Sequence, residues 1–104
     1  MDEALAAMLR ETITQRTFVS QDVAGLPTYG APTARPARIQ WKPQRITTHT
    51  GEERVSRAKI FLLPTPPITL RDRLTLPDGT SPALLHVYPV RDETSTLSHF
   101  EIWV

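Results

Sequence analysis

Few residues of this chain combine the type and spacing that chemistry requires. The three histidines, His49, His86 and His99, stand far apart and share no metal-ligand spacing. His86 alternates with Leu85 and Val87, which turns it away from a core rather than into one. The chain has no cysteine, so a thiol nucleophile, disulfides, Cys-ligated zinc and iron–sulfur clusters are excluded. The acidic pair Asp92-Glu93 falls in a polar turn, where neighbouring side chains rarely aim at one substrate atom. No nucleophile elbow and no phosphate-binding glycine loop is present. These residues predict a protein that is not an enzyme and that needs no cofactor and no metal.

Charge is informative in its placement. The net charge is +1, yet residues 34–59 carry seven basic groups against two acidic ones. Arg35, Arg38, Lys42, Arg45, Arg54, Arg57 and Lys59 form this stretch. Such a segment meets phosphate or an acidic protein surface, or is the solvated face of a strand pair. Among the aromatics, Trp41 shares a face with Ile39 and is expected in the core. Trp103 falls opposite Phe100 and Ile102, which suits an exposed position or a subunit contact.

The elements that position these residues are mostly strands. The length of 104 residues is that of one domain, residues 1–104. Ala4, Leu5, Met8 and Leu9 recur at helical spacing behind Asp2, so a short helix is predicted over 1–11. A helix this short must dock on something. Residues 12–104 read as a β-barrel. Thr12 to Val19 has strand composition, and 20–36, rich in Gly and Pro, reads as a long loop.

Ala37, Ile39 and Trp41 alternate with Arg38, Gln40 and Lys42, and Ala58, Ile60 and Leu62 alternate further on. These two strands are joined by a polar hairpin over 43–54 with Gly51 near its tip. Pro43 argues against a central ladder position, and Pro64-Thr65-Pro66-Pro67 stops the second strand. Leu74 and Leu76 precede a Pro77-Asp78-Gly79 turn. Ala83–Val90, with Leu85 and Val87 on one face, and Leu97–Val104, with Phe100, Ile102 and Val104 on one face, complete the pattern. The fold class is mainly β: a small antiparallel β-barrel or sandwich of about six strands with one short N-terminal α-helix. No apolar run is long enough for a membrane helix, so no membrane partner is expected.

In order and spacing the chain resembles the head-completion, or stopper, proteins of the neck of tailed bacteriophages. The likeness is carried by Thr12-Ile13-Thr14 after the short helix and by the Tyr29-Gly30-Ala31-Pro32 turn. It continues through Gly51-Glu52-Glu53-x-Val55-Ser56-x-Ala58, Asp72-Arg73-Leu74-Thr75-Leu76-Pro77-Asp78-Gly79 and the closing Phe100-Glu101-Ile102-Trp103-Val104.

The resemblance implies a structural virion protein at the head–tail junction, present in the host cytoplasm during assembly. It implies a cyclic ring of identical subunits, on the order of six or twelve copies. The ring would lie below the portal and adaptor proteins, close the DNA channel after packaging and dock the tail proteins. The gate would be the long hairpin, here Gln44, Arg45, Thr47, Thr48, His49, Thr50, Gly51 and Glu52. Arg45, Arg54 and Arg57 would meet phosphates of the packaged phage DNA or an acidic partner. Leu5, Met8, Leu9, Tyr29 and Trp103 are the candidate subunit interface. A tail-completion or adaptor subunit, and a small nucleic-acid-binding barrel, remain as alternatives.

Overall fold

The structure, a computed structural model, describes residues 9–48 and 50–104. Its strands are β1 (Glu11–Arg16), β2 (Phe18–Gln21), β3 (Pro27–Tyr29), β4 (Thr33–Gln40), β5 (Gln44–Thr47), β6 (Glu53–Ser56), β7 (Lys59–Leu62), β8 (Arg73–Thr75), β9 (His86–Arg91) and β10 (Leu97–Trp103). Six of them form one curled antiparallel sheet, a half-barrel, in the order β8-β1-β4-β7-β10-β9. β2–β3 and β5–β6 are separate two-stranded ribbons.

The period-two pattern decides which face is buried. Ile13, Ala37, Ile39, Ala58, Ile60, Leu62, Leu74, Phe100 and Ile102 all point to the concave side and are buried there. The connection 63–72 adds Ile68 to this core, and Leu76 and Val104 complete it. Each fully buried Ile or Leu contributes about 1.5–3 kcal/mol of transfer free energy. The Pro77-Asp78-Gly79 turn forms as expected: Leu76 N–H donates to Thr80 O at 2.8 Å, and Gly79 takes φ +86°.

Four expectations need correction. Residues 1–8 of the predicted helix, Leu5 and Met8 among them, lie outside the described residues. Of its remainder, Leu9 and Arg10 have no regular structure and Glu11 opens β1, paired with Ala37. No helix occurs among the described residues.

The loop 20–36 is instead largely ordered into strands. Asp22 accepts hydrogen bonds on Oδ1 from Ala24 N–H and Leu26 N–H, both at 2.9 Å, and Gly25 takes φ +83°. That turn folds β2 back on β3, and β4 begins at Thr33. An Asp followed three residues later by Gly is a turn signal.

Trp41 is not core. It lies beyond the last β4 residue and is 51% exposed, because the β4–β7 ladder ends at the Gln40–Lys59 pair. Finally, Leu84 rather than Leu85 packs with Val87 against the core. The alternation fails there because β9 begins only at His86 and residues 81–85 are not strand.

Candidate functional site

The ribbon β5–β6 carries most of the residues singled out as a gate. Its ladder pairs Gln44 with Ser56, Arg45 with Val55, Ile46 with Arg54 and Thr47 with Glu53. Thr48 N–H bonds Glu52 O at 2.8 Å and Gly51 N–H bonds Thr48 O at 2.9 Å, with Gly51 at φ +86°. The tip is thus a tight turn that contains Thr50; His49 lies outside the described residues. No described residue from 41 to 55 is buried, and Val55 is 66% exposed. The ribbon therefore stands clear of the core.

Its base is anchored. Ser56 is buried, and its hydroxyl lies 2.9 Å from Ala58 O and 3.0 Å from Val104 O. Arg57 N–H donates to Val104 O at 2.7 Å, and Val104 N–H donates to Ala58 O at 3.1 Å. The return strand thus exchanges β5 for residue 104 as its partner, and this is where the ribbon leaves the sheet.

The three arginines expected to act together are dispersed. Arg45 shares a ribbon face with Val55, whereas Arg54 shares the opposite face with Ile46. Arg54 is ion-paired to Glu52 at 3.0 Å. Arg57 lies over the Trp41 ring, 5.9 Å from its centroid, and 3.9 Å from Asp78. Both ion pairs are well exposed and weak.

The convex face of the sheet holds a cluster that the alternation placed but did not assemble. The register aligns Arg38, Phe61, Glu101 and Tyr88 in one row, and Gln40, Lys59, Trp103 and His86 in the next. Lys59 Nζ is 2.6 Å from Glu101 Oε1, and its charge also lies over the rings of Phe61 and Trp103. His99 bridges Ser98 Oγ and Glu101 Oε2. Burial alone would raise the Glu101 carboxyl; hydrogen bonds and charge from Lys59 and His99 outweigh it and hold it below the usual range. Trp103, a candidate interface residue, is half-buried beneath Lys59 and His86 rather than projecting. Trp103 Nε1 and His86 Nδ1 are buried without a hydrogen-bond partner among the described residues.

A buried polar chain went unread in the sequence. Gln15, Arg35 and Asp72 are buried on the concave side. Arg35 donates to Gln15 Oε1 and to Leu63 O, and Gln15 donates to Asp72 Oδ2 at 3.0 Å and to Pro67 O at 3.1 Å. Asp72 also accepts from Phe18 N–H at 2.9 Å and Thr69 N–H at 3.0 Å. Burial lowers the Arg35 pKa, partly offset by the Asp72 charge. The chain fixes the connection 63–72 across the concave side. Its only sequence signal was that Gln15 and Arg35 occupy inward positions of their strands.

Beside it lies an open groove of about 420 Å³ lined by Pro27, Tyr29, Arg71, Arg73, Pro82 and Leu84, among others. Tyr29, another candidate interface residue, is half-buried there, edge-on to Phe18 with ring centroids 6.4 Å apart. Arg16 lies over Tyr29 at 5.9 Å and Arg71 over Phe18 at 5.1 Å. Leu9, the last candidate interface residue described, is half-buried ahead of β1.

The arrangement offers surfaces: an exposed ribbon, a charged aromatic sheet face and a basic groove. Protein-family models give no match to the chain, and a comparison with curated proteins finds no similar one.

Proposed function

We propose that the chain is a structural subunit of the neck of a tailed bacteriophage, a stopper that forms a ring and closes the DNA channel with its β5–β6 ribbon. The observation that carries this reading is that ribbon. It is a two-stranded extension with no described residue from 44 to 55 buried, tied at its base by Ser56 to Val104. A ribbon of this kind adds almost nothing to the monomer's core, and a ring of projecting ribbons would obstruct a central channel. The resemblance along the whole chain supplies the neck assignment. Dispersal of Arg45, Arg54 and Arg57 disfavours a monomer that grips nucleic acid with a single basic patch.

The test is electron microscopy of particles carrying an epitope tag on this protein. Label in a ring at the head–tail junction, with packaged DNA lost when residues 45–54 are replaced by a short turn, is the expected result. Untagged particles together with salt-dependent oligonucleotide binding by the free protein would replace this reading by the nucleic-acid module.

A further inference from the structure

Arg16 and Arg73 are register partners across the β1–β8 ladder. Like charges directly opposite on an antiparallel pair repel. Arg71 adds a third guanidinium, held over Phe18 within the same aromatic cluster that Arg16 caps at Tyr29. None of the three makes an ion pair among the described residues. The nearest carboxylate in sequence, Asp72, is buried and already accepts from Gln15, Phe18 and Thr69. The groove beside them is bounded by β8, a sheet edge, and has apolar walls at Pro27, Pro82 and Leu84. Asp72 lines the groove but is engaged by its own hydrogen bonds, and Arg16 Nε donates to Gly30 O at 3.0 Å. This leaves Arg71 and Arg73 facing an open, partly apolar groove without a carboxylate partner among the described residues, a surface complementary to an acidic segment.

The same sheet carries such a segment at its other edge. β9 is the opposite edge strand, and the β9–β10 turn presents Asp92 and Glu93. Asp92 N–H bonds Thr96 O at 2.9 Å, and Asp92 Oδ1 accepts from Thr94 N–H and Thr96 N–H, so the turn is preformed. The hydroxyl and amide hydrogen bonds of Thr94 and the amide of Thr96 keep the Asp92 carboxyl below its usual range. Because every neighbouring pair in the sheet is antiparallel, the end of β1, the start of β8 and the β9–β10 turn all lie at one end of it. The β5–β6 ribbon leaves from the other end.

We propose that the groove lined by Arg71 and Arg73, with Arg16 opposite Arg73 in the ladder beside it, receives the Asp92–Glu93 turn of a second copy of this chain. Basic edge against acidic edge is a heterologous contact, which repeats from copy to copy and closes into a ring when the rotation permits. This deepens the neck reading and rests on it for the ring, though not for the contact.

The absence of cysteine makes disulfide trapping clean. Ser81→Cys lines the groove and leaves all three arginines in place; Glu93→Cys sits on the turn and leaves Asp92. Oxidising a mixture of the two single variants is expected to give a cross-linked heterodimer several-fold in excess of an Arg45→Cys plus Glu93→Cys mixture, Arg45 lying on the distant ribbon. Adding R71E and R73E to the Ser81→Cys chain, both at exposed positions, is expected to reduce the yield to the control level. Equal yields in the two mixtures, or no response to the charge reversal, overturns the contact. A neck label without the cross-link leaves the neck reading standing and overturns this inference. The cross-link without a neck label supports the contact and overturns the neck.

Discussion

Lys59 Nζ lies 2.6 Å from Glu101 Oε1, and His99 Nε2 lies 3.2 Å from the other oxygen of the same carboxylate. The three side chains come from two neighbouring strands and share the convex face because the register sets Lys59 opposite Trp103 and Phe61 opposite Glu101. Half-burial strengthens this pairing relative to the exposed Arg54–Glu52 pair.

Glu101→Gln is expected to lower stability at pH 7 by about 1–2 kcal/mol. The folded carboxyl is held below its usual range. Its contribution is therefore present above the unfolded value of about 4.3 and is lost as pH falls through the folded one. Urea titrations of both proteins should show a gap that persists from neutral pH to about pH 5 and closes at more acid pH. A gap independent of pH would show that packing, not the charge pair, is responsible.

Asp72→Ala is expected to be severe, on the order of 3–5 kcal/mol. It leaves the Phe18 and Thr69 amides unsatisfied and removes one of the two acceptors of the buried Gln15 amide, Pro67 O remaining. A marked fall in urea midpoint, with Asp72→Asn intermediate, is the expected pattern. A loss below about 1 kcal/mol would mean that Ile68 and the bonds to Leu63 O and Pro67 O hold the connection 63–72 without Asp72.

The two tryptophans are expected to report different environments. Trp41 is 51% exposed, whereas Trp103 is half-buried under Lys59 and His86. Trp103→Phe should leave emission that is red-shifted and readily quenched by acrylamide, and Trp41→Phe the reverse. Trp41→Ala should change stability by less than about 1 kcal/mol, against about 2–5 kcal/mol for Ile60→Ala.

Replacing residues 45–54 by a two-residue turn is expected to preserve the β circular dichroism and most of the stability. The buried core draws on none of those residues. Gly51→Ala, at φ +86°, should cost about 1 kcal/mol within the ribbon alone. Loss of the β spectrum on ribbon replacement would show that the ribbon is part of the folding unit rather than an appendage.

Much of the sheet was legible from residues alone. Strict alternation at 37–39, 58–62, 74–76 and 100–104 set the buried face, because only one register puts those side chains inward. Pro43, Gly51 and Pro77-Asp78-Gly79 marked ladder breaks and turns for local reasons. Glycine at positive φ and proline without an N–H do not depend on the rest of the fold. Tertiary structure alone decided the remainder. Whether Trp41 continues the core depended on where β7 stops pairing with β4, a long-range fact. Arg35 looked like part of a solvated basic stretch, yet it is buried, because Gln15 and Leu63 from distant segments satisfy its guanidinium. Arg16 and Arg73 are 57 residues apart in sequence, and only the β1–β8 register makes them neighbours. Local patterns specify which way a side chain points, whereas which side chains meet is set by strand order, and strand order is not periodic in sequence.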